Sequence, residues 1–207
     1  MKQSVVLLTG AAMIALMLAC ASLPEKEFSL ANERRSLLMK YKLNTYASNE
    51  FVLAETNYTA GKTYYSNDNG KSKESLDKAL TNYNIVLQKG FPLAADDSKK
   101  QADAPKKDAD DIKAAVAVKE EYAAAKKLYD DAIAAKTAGN YSNAIDLLQA
   151  SKVKFEAVHK KAKEKRTGAE KSIKATDTDI KNVEKTVKEI EKLRDEEQKA
   201  MKKENAQ

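Results

Sequence analysis

Apolar residues recur at helical spacing through most of this 207-residue chain. A return of apolar side chains every three or four positions predicts a helix with one buried face. The pattern predicts helices that begin near Phe28, Asn49, Ser72 or Ser75, Ile112 and Ser142. The chain contains only six glycines and three prolines, and this scarcity of helix breakers favours long helices over a turn-rich sheet. The fold is therefore predicted to be all-α.

Turn formers and polar stretches are predicted to interrupt these helices. Residues 66–70 read Ser-Asn-Asp-Asn-Gly, and such residues accept the backbone conformations of a turn. Gly90-Phe91-Pro92 is predicted to stop one helix, and Gly139-Asn140 is predicted to break a later one. Residues 94–111 contain no large hydrophobic side chain. They are predicted to form a polar linker with a flexible joint before about residue 106, or, from Asp108 onward, the first turn of the next helix.

The C-terminal part of the chain, beyond His159, is predicted to be a long charged helix. Its apolar residues follow at steps of seven, three, four and three: Ile173, Ile180, Val183, Val187 and Ile190. Thr176 and Arg194 occupy the adjoining core positions, which leaves fewer than three clean heptads. The pattern therefore fits either a short coiled coil or a helix that packs back on the preceding helices.

The first twenty residues, MKQSVVLLTGAAMIALMLAC, differ from everything that follows. Lys2 precedes a mostly apolar run from Val5 to Leu18, and the small residue Ala19 stands directly before Cys20, the single cysteine of the chain. A positive start, a short apolar run and a small residue at the cut are typical of a secretory signal. The run is about 14 residues long, shorter than the roughly 20 that a membrane-spanning helix needs.

Met17-Leu18-Ala19-Cys20 resembles the lipobox of bacterial lipoproteins, with Met where Leu is commoner. The resemblance implies cleavage between Ala19 and Cys20, a diacylglycerol thioether on Cys20 and acylation of the freed amine. About three acyl chains would anchor the protein stably, whereas one binds weakly. The implied location is a bacterial membrane reached by export, with the outer membrane or a periplasmic face favoured. An ordinary secretory signal that ends near a cysteine is the alternative.

A second resemblance lies between Tyr122 and Phe155. Residues 139–145 read Gly-Asn-Tyr-Ser-Asn-Ala-Ile and resemble the turn of a tetratricopeptide repeat, which commonly reads Gly-x-Tyr-x-x-Ala-Ile. The resemblance implies an antiparallel helical hairpin packed through Leu128, Ala132, Gly139, Tyr141, Ala144 and Leu148. A looser counterpart contains Gly61, Tyr64, Tyr65, Ala79, Leu80 and Tyr83. A generic helical hairpin would account for the same residues.

These observations divide the chain into six segments. They are a signal peptide at 1–19, a lipidated tether at 20–27, a helical hairpin region at 28–93, a polar linker at 94–111, a tetratricopeptide-like helical hairpin at 112–165 and a charged helix with a candidate short coiled coil at 166–207.

Composition and motifs exclude several function classes. The net charge is +6 and 33% of residues are charged, but Lys and acidic residues alternate through the second half, as on a solvated helix surface. Nucleic-acid binding is therefore not expected. His159 is the only histidine, so no Cys/His zinc set can form, and Asn67-Asp68-Asn69-Gly70 lacks the ligand spacing of a calcium loop. We expect no enzymatic activity, no metal and no cofactor.

Tyrosine is concentrated in the first half of the chain, which holds six of the nine. Tyrosine has a large contact area and a polar tip, so it serves both cores and interfaces. We expect most of these tyrosines in the core of a chain that lacks Trp. Tyr64 and Tyr65 are the predicted exposed pair and the candidate partner-binding residues.

The function predicted from the sequence is a lipid-anchored, non-enzymatic protein-binding or scaffolding module. Its partners would be the membrane, through the N-terminal lipid, and an unidentified envelope protein. One alternative is a structural spacer of the envelope that self-associates as a homo-oligomer through its C-terminal helix. The other is a ligand-binding accessory of a transporter that holds an apolar molecule between its hairpins.

Overall fold

The computed structural model describes residues 22–204, and all regular secondary structure in this range is helical. The elements are α1 (Glu25–Lys40), a 3₁₀ turn (Leu43–Thr45), α2 (Ser48–Tyr64), α3 (Asn69–Asp111), α4 (Ala114–Ala117), α5 (Lys119–Thr137) and α6 (Tyr141–Glu204). The predictions of an all-α chain and of a long C-terminal helix are confirmed. The predicted signal peptide and the cleavage and lipidation residues Ala19 and Cys20 lie outside the described residues.

The described chain forms two compact units. The first unit comprises the residues up to Ala102 together with Leu128–Ala150, and the second comprises Asp103–Lys127 together with the chain from Ser151 onward. Helices α3, α5 and α6 each contribute residues to both units.

Helices α1 and α2 of the first unit are antiparallel. Arg35 bonds to Glu55, and Asn32 bonds to Tyr58, so contacts that move backward along α1 move forward along α2. The apolar face of each helix is covered by its neighbours. The buried core includes Ala31, Leu38, Leu43, Ala54, Tyr58, Leu76, Ala79, Tyr83 and Val86. Burial of these side chains supplies the main stabilisation, because no disulfide is available to a chain with one cysteine.

The turn between α2 and α3 lies where the sequence predicts it, but α3 begins at Asn69, earlier than the predicted Ser72 or Ser75. The carboxylate of Asp68 accepts a hydrogen bond from the backbone N–H of Lys71 at 3.0 Å, which satisfies a free donor of the first turn. Ser72 is buried instead, and its hydroxyl donates to the carbonyl of Gly61 at 2.8 Å. This serine therefore joins two helices rather than capping one.

Helix α3 continues through both places where the sequence predicts an interruption. The helix continues through Gly90, and this glycine allows close packing instead of ending the helix. A Cβ built at this position would lie 2.9 Å from the Cβ of Leu43. Pro92 and Pro105 also lie inside α3, although a proline leaves one helical carbonyl without its usual donor. The predicted helix stop at Gly90-Phe91-Pro92 is therefore wrong.

The prediction of a polar linker at 94–111, with a flexible joint, is also wrong, since the whole segment is helical. It packs through alanine rather than through large side chains. Its buried residues are Ala94, Ala95, Ala102, Pro105 and Ala109, and the alanines at 95, 102 and 109 recur every seven positions. A methyl group at this spacing allows close approach of a neighbouring helix. The absence of bulky residues therefore indicated tight helix packing and not a solvated segment.

The second unit packs α5 against α6 in antiparallel order. Ser151 donates to the carbonyl of Ala125 at 3.3 Å, and Lys161 contacts Glu121, so contacts move backward along α5 as they move forward along α6. Its buried residues are mostly small: Pro105, Ala109, Ala114, Val118, Ala125, Ser151, Phe155, Val158 and Ala162.

Candidate functional site

The C-terminal part of α6 carries a long exposed surface. Every residue from 163 to 202, here called the arm, is exposed in the described chain. At a rise of 1.5 Å per residue this segment is about 60 Å long. Isolated helices gain little stability from propensity alone, and most helices in proteins depend on the packing of one apolar face. An exposed arm of this length therefore offers a surface of the kind that other helices use for packing.

The arm carries an apolar row on one face. This row, here called the stripe, consists of Ile173, Ile180, Val183, Val187 and Ile190, each between 46% and 62% exposed. Steps of seven, three, four and three residues keep all five within a sector of about 100° of the helix. Single exposed apolar residues are common on protein surfaces, whereas an aligned set marks a candidate interaction site.

The stripe continues the row that α6 already uses for packing. In the second unit Ser151, Phe155, Val158 and Ala162 are buried. Ile173 follows Ala162 by eleven residues, which is three helical turns at about 3.7 residues per turn, so it returns to the same face. The arm therefore presents the buried face of α6 beyond the point where the described chain covers it.

Acidic side chains border the stripe. On one edge Asp177, Glu184 and Glu191 recur every seven residues, each four positions after a stripe residue. Asp179 lies on the other edge. Two ion pairs of the arm are formed by lysines that are turned away from the stripe: Lys185 contacts Glu189 at 4.0 Å, and Lys192 contacts Glu196 at 3.9 Å.

The two tyrosines of the predicted exposed pair differ in their exposure. Tyr64 is 38% exposed, and the Lys71 ammonium lies 5.6 Å from its ring centroid. Tyr65 is half-buried, and its ring lies 5.1 Å from the ring of Phe28. The expectation that both are exposed therefore holds for Tyr64 only, and partner binding by either residue stays a prediction. Of the other tyrosines in the first half, Tyr58 and Tyr83 are buried, as expected.

The predicted repeat-packing residues occupy both sides of the turn between α5 and α6. Ala132 and Leu148 are buried in one cluster with Ala102. Ala144 is also fully buried. Leu128 and Tyr141 are half-buried. Gly139 has a φ of +76°, a conformation that glycine adopts without strain, and it forms the predicted break. The tetratricopeptide character of this hairpin stays a prediction.

One polar cluster in the first unit was not detectable from the sequence. The Nε of Arg35 donates to both carboxylate oxygens of Glu55 at 2.9 and 3.0 Å, and the Tyr83 hydroxyl donates to Glu55 Oε1 at 2.5 Å. Burial, together with this hydrogen bond, holds the pKa of Tyr83 far above its ordinary value, and the hydrogen bond to Glu55 raises the pKa of Arg35. The three residues come from three helices, so no sequence period connects them. Their mutual pairing indicates a structural role.

Chemistry-bearing groups elsewhere are dispersed. His159 is half-buried beside a surface concavity that Ile112, Arg166 and Glu170 also line. Within residues 22–204 no three His, Cys, Asp or Glu side chains are grouped so that they could hold a metal ion. Across the same range none of the helices has the length and apolarity needed to cross a bilayer.

No protein-family model, no curated protein and no solved structure matches this chain.

Proposed function

We propose that this protein is an exported, lipid-anchored component of a bacterial cell envelope that acts as a non-enzymatic protein-binding or scaffolding module. The arm of α6 is its binding element. The observation that carries the proposal is the stripe, a row of five exposed apolar side chains that continues the packing face of α6. A helix that lays such a row in a groove or along another helix is a common mode of protein recognition.

The start of α1 supports a location close to the membrane. Helix α1 begins at Glu25, so residues 25–27 of the predicted tether are helical and the tether is shorter than expected. Five residues of extended chain span at most about 18 Å. If Cys20 carries the lipid, the first helix therefore begins near the bilayer surface, and the anchor raises the local concentration of the arm at envelope partners.

The hairpin of α5 and α6 supports the finer proposal of a tetratricopeptide-like unit. Ala132 and Ala144 are buried where a repeat would place small residues, and Gly139 forms the turn. In this proposal the hairpin contains the start of α6, and the arm carries the binding surface.

Self-association through the arm is the second candidate function, because the stripe would also fit a coiled coil between copies. The weakness of this candidate is that the stripe has fewer than three clean heptads, since stable coiled coils usually continue for more. No specific observation favours the third hypothesis, the ligand-binding accessory of a transporter.

Acyl labelling tests the location. Cells that express the full chain would be fed an alkyne-tagged fatty acid, and wild type would be compared with Cys20→Ala. The label and the membrane association are expected in the wild type and not in the variant. Wild type without label, or a Cys20→Ala variant that still fractionates wholly with membranes, would contradict the proposed anchor.

Site-specific photo-crosslinking in the same cells tests the binding element. A photoreactive amino acid at Val183 lies on the stripe, and the same residue at Lys185 provides the matched control on the opposite face. Discrete adducts are expected from Val183 only. An adduct of twice the chain mass would favour the self-associating spacer, and equal yields from both positions would contradict binding through the stripe.

A further inference from the structure

The acidic borders of the stripe restrict the kind of partner that it can accept. In paired helices the residues beside the apolar seam face the corresponding residues of the other helix and determine the choice of partner. Asp177, Glu184 and Glu191 occupy every such position on one edge of the stripe, and Asp179 lies on the other. No ion pair within the described chain engages these four carboxylates.

A second copy of the same arm is a poor match for these borders. In an antiparallel pair the edge with Asp177, Glu184 and Glu191 faces itself, so carboxylates lie opposite carboxylates. In a parallel pair Asp179 faces Glu184 of the other copy. Like charges beside a helix seam oppose pairing, and seams as short as this one have little apolar area to offset the repulsion.

A neighbouring row of lysines does not neutralise the acidic edge. Lys174, Lys181 and Lys188 each precede an acidic border residue by three positions. They lie farther round the helix, more than 90° from the centre of the stripe at about 100° per residue. A partner helix that covers the stripe would therefore meet the carboxylates first.

We propose that the stripe docks a basic amphipathic helix of another protein, one whose apolar row is bordered by Lys or Arg. Its apolar residues cover the stripe, and its cations pair with Asp177, Glu184 and Glu191. Continuity with the packing face of the second unit supports a helical occupant, because the buried part of this face already accepts helix α5. This inference rests on the proposed binding function and specifies the chemistry of the partner.

Two synthetic helical peptides of about four heptads test the proposal. Both carry Ile and Leu on the apolar row, one has Lys at every bordering position, and the other has Glu. The purified full chain in detergent micelles is titrated against each fluorescent peptide, and binding is followed by anisotropy at low salt. The basic peptide is expected to bind about tenfold more tightly or better, because complementary charges favour it and like charges reject the acidic peptide. Equal affinities would overturn the proposal.

Charge reversal in the arm provides the matched control. Asp177→Lys, Glu184→Lys and Glu191→Lys together are expected to invert the preference in favour of the acidic peptide. Glu164→Lys, Glu189→Lys and Glu196→Lys change the net charge by the same amount at positions turned away from the stripe, and they are expected to leave the basic peptide preferred. An inversion in both triple variants would show that only net charge matters and would overturn the proposal.

The second copy is tested directly with two differently tagged full chains in one cell. Co-purification that is lost when both carry Val183→Glu would show that the stripe binds itself, which would overturn the proposed partner. If the peptides fail but Val183 still crosslinks to another protein, the binding function survives and only the partner chemistry is wrong. If Cys20 takes up no lipid, the location fails while the peptide result still stands.

Discussion

The bundle of the first unit and the arm of α6 have apolar residues at the same helical spacing, but these residues are buried in the bundle and exposed in the arm. In the bundle, Leu38, Leu76 and Tyr83 are fully buried by neighbouring helices. In the arm, Ile180 and Val187 occupy equally regular positions and are about half exposed. Helical periodicity therefore identifies the apolar face that can pack against another element, but it does not show whether that element belongs to the same chain.

The largest contrast is expected from truncation of matched apolar residues. Leu76→Ala removes a fully buried side chain and is expected to lower the free energy of unfolding by about 2–5 kcal/mol. Ile180→Ala is expected to change it by less than about 0.5 kcal/mol. Urea unfolding followed by tyrosine fluorescence measures both effects. Every tyrosine precedes the arm, so the signal reports the unfolding of the packed helices and not fraying of the arm. A loss of several kcal/mol in Ile180→Ala would show that the arm is covered by the chain itself.

Matched glycine substitutions are expected to have opposite signs. A Cβ at Gly61 would lie 2.7 Å from Cγ of Leu76, so Gly61→Ala is expected to cost about 1–2 kcal/mol after the gain in helix propensity. At Gly168 a Cβ meets nothing within 4 Å, and Gly168→Ala is expected to raise the helicity of the arm. Urea unfolding reports the first and far-ultraviolet circular dichroism the second. A neutral Gly61→Ala would mean that α2 and α3 are less closely packed than described.

Removal of one hydroxyl distinguishes the buried polar cluster from the surface. Tyr83→Phe deletes the bond to Glu55, which Arg35 still holds, and is expected to cost about 1–2 kcal/mol. Tyr64→Phe, at an exposed ring, is expected to change the free energy of unfolding by less than about 0.5 kcal/mol. Equal effects in urea unfolding would contradict the role assigned to Glu55.

The smallest effect concerns the start of α3. The hydrogen bond from the Lys71 backbone N–H, followed by that from its side chain, holds the pKa of Asp68 below its ordinary value. A lowered folded-state pKa contributes stability above the unfolded pKa, and this contribution is lost as the pH falls through the folded pKa.

Comparison of wild type with Asp68→Asn isolates this contribution. Asparagine also caps a helix but does not titrate in this range. The urea midpoint of the wild type is expected to fall more than that of Asp68→Asn between pH 6 and about pH 3. Parallel curves for the two proteins would assign the acid sensitivity to other carboxylates.

Features that depend on neighbouring residues were predicted correctly from the sequence, whereas features that depend on contacts between distant residues were not. The turn at residues 66–70 and the break at Gly139 are visible in the sequence because backbone conformation there depends on local residues. The helical structure of segment 94–111 is not predicted by the local pattern, because alanine packing depends on a neighbouring helix that is distant in the sequence. The grouping of Arg35, Glu55 and Tyr83 has the same origin, since three helices bring them together.

The stripe is only partly predictable from the sequence. Its five positions are readable from the sequence, whereas its exposure is a property of the folded chain. The sequence left open whether this helix forms a short coiled coil or packs back on the preceding helices, and in the described chain it is exposed from 163 to 202.

The sequence by itself determined the helical class, the turn at residues 66–70, the break at Gly139 and the apolar row of the arm. These depend on side-chain spacing and backbone preference within a few residues. Only the tertiary structure decided which faces are covered, which glycines and alanines allow close contact and which carboxylates are paired. Coverage depends on contacts between residues far apart in the chain, and no local pattern encodes the distance between two helices.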